Sequence, residues 1–182
     1  MNSYNELLKN YFTNPLNLEK SASLIIDKIT QGKAVFIIGN GGSASTAEHF
    51  ATDLLFIKFD QIKDKIKVMA LSSNSASITA IANDIGFDKI FSHQLNRFAE
   101  EGDLCILISA SGNSENLTQA MKICKQQKIE TLAILGFDGG KLKFLADQVL
   151  HVETEIGRYA EVEDIHLSIC HQISLLVREK LR

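Results

Sequence analysis

Two short turns constrain this chain more than any other feature of its sequence. Gly39-Asn40-Gly41-Gly42-Ser43-Ala44 follows the apolar run Val35–Ile38, and Ser109-Ala110-Ser111-Gly112-Asn113-Ser114 follows Leu104–Ile108. Each reads as a strand, a tight small-residue loop and a helix start, an order that lets backbone N–H groups and hydroxyls converge on an anion. One such loop is a weak signal. Two in one short α/β chain point to a phosphorylated small molecule held at the carboxyl ends of neighbouring parallel strands.

At 182 residues the chain is long enough for one domain with a real hydrophobic core. We read 1–182 as a single domain, with a helical extension over 1–31, an α/β core over 34–152 and a terminal helix over 160–182. Apolar spacing predicts helices over 4–12 (Leu7, Leu8, Tyr11) and 17–31 (Leu18, Ala22, Ile25, Ile29), broken at Asn14-Pro15. Strands are expected at 34–38, 67–71, 104–108, 131–135 and 148–152. Helices are expected at 44–57, 75–84, 88–99, 115–127 and 141–146, before a long one from about 160 to 181. The first, third and fourth strands are nearly continuous apolar runs, which argues for an α/β fold with a parallel sheet covered on both faces. Ile165, Leu167, Ile169, Ile173, Leu175, Leu176 and Val177 give the terminal helix more apolar surface than one narrow stripe uses. It either packs centrally or meets a second subunit.

Charge and composition exclude several classes. A net charge of −3 supplies no basic field for nucleic acid, and Lys58, Lys63, Lys65 and Lys67 are interspersed with Asp60 and Asp64 as in a solvated connection. No apolar stretch reaches the ~20 residues of a membrane span, and the start MNSYNELLKN lacks a signal-peptide profile, so no membrane association and a cytoplasmic location are expected. Cys105, Cys124 and Cys170 show no C-x-x-C spacing and read as buried free thiols. Gly39, Gly41 and Ala44 satisfy a loose dinucleotide fingerprint. The next strand, however, ends in Ser72-Ser73-Asn74 with no carboxylate to hold a ribose, so no nucleotide cofactor is expected.

Candidate chemistry lies on two helices. His49 and Asp53 stand at i and i+4 on the helix opened by the first turn, where such a pair binds metal, shares a proton or makes a surface hydrogen bond. Glu163, Asp164, His166 and His171 put two acids and two imidazoles into nine residues of an otherwise apolar helix. Glu163 and His171 are separated by about 12 Å of helical rise, so one ion reaches both only if the helix starts late or bends, or a second subunit contributes. Ser43, Ser111 and Ser114 serve either as helix caps or as anion ligands, and Ser72, Ser73 and Ser75 cluster after the second strand. His93 and His151 read as structural. Asn83-Asp84 either closes its helix or reaches polyol hydroxyls from that end.

The motifs GNGGSA, A-E-H-F-A-x-D-L, T-A-I-A-N-D, I-S-A-S-G-N-S, L-G-F-D-G-G and V-E-D-I-H-L-x-x-x-H stand in register. From about residue 20 to the end, the chain resembles the phosphosugar-binding SIS domain family and, within it, the sedoheptulose-7-phosphate isomerases. The resemblance implies a flavodoxin-like three-layer sandwich and a homotetramer with active sites between subunits. It implies conversion of sedoheptulose 7-phosphate to D-glycero-D-manno-heptose 7-phosphate through an enediol. Substrate contacts are implied at Asn40, Gly41, Gly42, Ser43, Asn83, Asp84, Ser109, Ala110, Ser111 and Ser114. A zinc ion is implied at His49, Asp53, Glu163 and His171, with Asp53, His171 and Glu163 as the catalytic candidates. Asp53 and Glu163 depart from the best-known members, which have glutamate and glutamine there, yet carboxylates and imidazoles remain competent zinc ligands. On this reading Asp53 and His171 transfer protons while His49 and Glu163 hold the ion. The rival is a non-catalytic phosphosugar-sensing or initiator-binding SIS regulator; such relatives lose the terminal-helix histidine that His171 retains.

Overall fold

The computed structural model describes residues 18–57 and 66–181, together with Glu6 and Lys9, both helical. The rest of the expected helix 4–12, the Asn14-Pro15 break and the stretch from Lys58 to Lys65 lie outside the described residues.

Five strands, β1 (Ala34–Gly39), β2 (Lys67–Ala70), β3 (Leu104–Ser109), β4 (Glu130–Leu135) and β5 (Gln148–His151), form one parallel sheet in the order β2-β1-β3-β4-β5. This is flavodoxin-like winding, whose direction reverses between β1 and β3. Successive side chains of a strand point to opposite faces, and both faces here are dry. Val35, Ile37, Ile106 and Ile134 enter one apolar layer while Phe36, Ile38, Leu107 and Leu135 enter the other. The continuous apolar runs are therefore the signature of two-sided burial.

Helices α1 (Leu18–Thr30), α2 (Gly42–Leu55) and α7 (Tyr159–Lys180) cover the first face. The second is covered by α3 (Ser75–Asp84), α4 (Ser92–Phe98), α5 (Glu115–Gln126) and α6 (Leu142–Leu145). The result is the expected three-layer sandwich. Element ends fall within two residues of expectation except over 88–99, which divides into a 3₁₀ turn at Phe87–Lys89 and α4. Gly86, at φ 139°, breaks the chain direction there, and Ile90 and Phe91 then turn inward to the core. Of the two alternatives for the terminal helix, central packing is realised within one chain: α7 lies against both α1 and α2 and buries Ile165, Ile169, Ile173 and Val177. Leu175 stays exposed. All three cysteines are buried and free. Among the described residues no helix is long and apolar enough to cross a membrane.

His166 is the anomaly of the core. It is 0% exposed on α7, and neither ring nitrogen makes a well-formed hydrogen bond; the Leu135 backbone is the polar group near enough to favour its charged form. Burial pushes its pKa from the ordinary 6.5 down to about 4; the Leu135 backbone works against this shift and the neighbouring His151 adds to it. On acidification the unfolded ring takes a proton before the folded one does. The stabilising contribution is thus complete above pH 6.5 and is lost as pH falls toward 4, by roughly 3 kcal/mol. Urea unfolding across that window is expected to show this slope in the wild type and a flatter one in His166→Leu. An unchanged slope would assign the acid lability to other groups.

Candidate active site

β1 and β3 pair side by side with Gly39 opposite Ile108, so the two glycine- and serine-rich turns leave adjacent strands at the same edge of the sheet. Together they wall a cavity of about 140 Å³, lined by Asn40, Ser43, Ser109, Ser111, Ser114 and Glu163 among others. Each turn feeds a helix: Gly41 precedes α2 and Ser114 precedes α5, and neither start carries a side-chain cap. The capping explanation therefore fails for Ser114, whereas Asn74 does cap α3 by accepting from the Ser77 N–H at 3.1 Å. Uncapped helix starts leave their first N–H groups for an anion.

Ser109 and Ser111 shape the second turn. Their hydroxyls accept from the N–H groups of Gly112 at 3.0 Å and Asn113 at 3.3 Å. The turn after β4 braces it from outside: Leu142 N–H donates to the Gly112 carbonyl at 3.1 Å, and Lys141 N–H to Asn113 Oδ1 at 3.1 Å. Gly112, at φ 61°, is required, because a Cβ there would overlap the Gly139 carbonyl.

Two contributors escape the sequence reading. Asn116, 2% exposed in the first turn of α5, exchanges both amide hydrogen bonds with Asn40, at 2.9 and 2.8 Å, and so ties the first turn to the helix that follows the second. The available signal was an amide on the same face as Leu117, Ala120, Met121 and Cys124, where a polar group needs a partner. Tyr159, at the start of α7, lines the cavity and meets Phe137 edge-on with ring centroids 5.0 Å apart.

The second cluster forms where α2 packs on α7. His49 and His171 approach Nε2 to Nε2 at 3.0 Å, with Asp53 Oδ1 3.6 Å from His49 and Asp53 Oδ2 3.9 Å from His171. One imidazole must donate to the other in that contact. Side-chain exposures of 51%, 45% and 29% for His49, His171 and Asp53 leave the group open to solvent on one side. The four-coordinate ion of a tetrahedral zinc site, at bonds of about 2 Å, sets its ligand atoms roughly 3.3 Å apart, so the donor set and spacing fit a divalent metal.

Glu163 does not join that cluster. Its carboxylate lies at the cavity, packed so closely on Gly42 that a Cβ there would overlap it. The separation follows from eight residues of regular helix between Glu163 and His171. Gly42 faces Glu163 and His49 faces His171, so α2 and α7 run the same way and the triad sits roughly 10 Å along them from the cradle. Asn83 and Asp84 also stand apart. They are exposed at the far end of α3, where Asn83 Nδ2 donates to Asp84 Oδ1 at 2.8 Å. His151 Nε2 bonds the Phe137 carbonyl at 3.0 Å, and His93 lines a separate cleft of about 330 Å³ beside α5.

Residues 1–136 match the profile of the SIS domain family. The chain is 37% identical over 168 residues to a probable phosphoheptose isomerase of Thermoplasma acidophilum, covering 91% of each chain. It is 33% identical to the phosphoheptose isomerase of Alteromonas mediterranea, covering 92% of this chain and 84% of that one. Among solved structures, the phosphoheptose isomerase of Neisseria gonorrhoeae superposes with a TM-score of 0.86 at 27% identity, covering 96% of this chain and 92% of that one.

Asn116→Ala removes both amide bonds to Asn40 from a buried site. It is expected to lower unfolding free energy by about 1–3 kcal/mol in denaturant titration. A change below a few tenths would mean that Asn40 finds equal partners elsewhere.

Proposed function

This chain belongs to the SIS domain family, and on that premise we propose that it is an aldose–ketose isomerase converting sedoheptulose 7-phosphate to D-glycero-D-manno-heptose 7-phosphate. The observation that carries the reading is the convergence of His49, Asp53 and His171 on the same helix pair that walls a cradle for an anion, roughly 10 Å further along it. A regulator that merely senses a sugar phosphate has no use for that triad.

Ser109, Ala110, Ser111 and Ser114 with the start of α5 bind the phosphate, and contribute position more than electronics. Asn40, Gly41, Gly42 and Ser43 hold the sugar hydroxyls. Isomerisation removes a proton beside the carbonyl and returns one to the adjacent carbon. Glu163 is the carboxylate that lines the cavity, which favours it over Asp53 as the group moving the proton at carbon. His49, Asp53 and His171 would hold zinc, which as a Lewis acid supplies polarisation of the carbonyl oxygen; because the triad lies roughly 10 Å from the cradle of its own chain, the triad serving a given cradle is one contributed by another copy of the chain. Glu163 becomes a fourth ligand only if it comes from another copy of the chain.

The exposed triad and the exposed Asn83-Asp84 pair suit a homotetramer in which one subunit completes the cradle of the next. A cytoplasmic setting belongs to the same reading, since a charged sugar phosphate does not cross a bilayer unaided.

His171→Ala is expected to lower turnover of sedoheptulose 7-phosphate at least ~100-fold while its dissociation constant stays within about threefold. Turnover like the wild type would remove His171 from the mechanism. Chelation is expected to suppress turnover and added zinc to restore it. Full activity of the chelated protein would leave the proton transfers to side chains alone.

A further inference from the structure

Two helix starts open into one cavity, and they are not equivalent. At α5 the wall is neutral: Ser111 and Ser114 line it, and Glu115, the acid of that first turn, is engaged outside by Gln119 Nε2 at 2.6 Å. At α2 the carboxylate of Glu163 reaches across from α7 and fills the space beside Gly42 that a side chain would take. Among the described residues lining the cavity, Glu163 is the one charged side chain, with no lysine or arginine to offset it. Helix starts of this kind attract anions, and the space beside the α2 start is already occupied by a carboxylate.

We propose that Glu163 is a specificity-determining residue: its negative charge bars a phosphate from the start of α2, leaves the start of α5 as the single phosphate seat, and so makes the cavity select sugars phosphorylated at one end only. Two anions forced into one small, partly desolvated space repel each other far more strongly than in water. The neutral end of the sugar, by contrast, meets a carboxylate that accepts its hydroxyl hydrogen bonds. Gly42 is part of the device, because only the absence of a Cβ lets the carboxylate approach. The sense of binding follows: phosphate toward Ser111 and Ser114, reacting carbons toward Glu163. The identity of the sugar rests on the isomerase reading; the discrimination between one phosphate and two does not.

The test is calorimetric binding of sedoheptulose 7-phosphate and sedoheptulose 1,7-bisphosphate to the full-length wild type, Glu163→Gln and Gly42→Ala. Wild type is expected to bind the monophosphate at least about tenfold more tightly. Glu163→Gln keeps the shape and removes the charge, so the bisphosphate should gain about tenfold relative to the monophosphate. Gly42→Ala, which pushes the carboxylate out of its place, should narrow the preference in the same direction; thermal melting checks that both variants are folded. A wild type that binds both sugars equally, or a Glu163→Gln variant whose preference is unchanged, overturns the proposal. Because binding is read without turnover, a wild type that discriminates but never isomerises would refute the isomerase reading and leave the role of Glu163 standing.

Discussion

Parallel pairing of β1 with β3 is the constraint on which the site depends. Strands that are separated in sequence by β2 and its flanking helices become neighbours, with Gly39 level with Ile108, and their two turns then face one cavity. Neither turn alone encloses a ligand. The sheet order places the reversal of winding there, where two adjacent connections diverge to opposite faces and leave a crevice. α2 departs to one face and α5 to the other, so two helix starts converge from opposite layers. The Asn40–Asn116 amide pair ties these starts together.

Chemistry is divided along the α2–α7 seam. At its upper end the groups are small and mostly neutral, suited to gripping and orienting. Roughly 10 Å further along lie two imidazoles and a carboxylate, held at 3.0 to 3.9 Å. The same helix pair therefore builds both features, and the register of α7 against α2 sets which residues meet. Slipping that register by one position would rotate His171 about 100° away from His49. Burial of Ile165, Ile169, Ile173 and Val177 along α7 fixes it.

The strands and the two turns were legible because their signals are local: continuous apolar runs for strands covered on both faces, then glycine and serine at the bends. Strand order was not legible from local pattern, since nothing in a strand's own sequence names its neighbour; it entered through family resemblance. His49 and Asp53 could be paired by helical spacing, but His171 joins them only because α7 packs on α2, a tertiary fact. Glu163 shows the reverse. Its motif groups it with His171, yet helical rise separates the two and sets Glu163 against Gly42, where the absent side chain is as informative as any present one. Asn116 carries no local signal of its role, since an asparagine in a first helical turn is ordinary capping chemistry and its partner lies 76 positions away. For His166, burial without a well-formed hydrogen bond is visible only once α7 is seated on the sheet.

The central claim is that acid–imidazole groups beside this cradle move a proton between adjacent carbons of a phosphorylated sugar. Heavy water reads that step directly. Incubating the protein with sedoheptulose 7-phosphate in deuterium oxide, with and without zinc, should load deuterium at the carbon next to the carbonyl, faster than any buffer blank and even where net conversion is small. Product formation without carbon-bound deuterium would argue for direct hydride transfer, and neither exchange nor product under either condition would contradict the account.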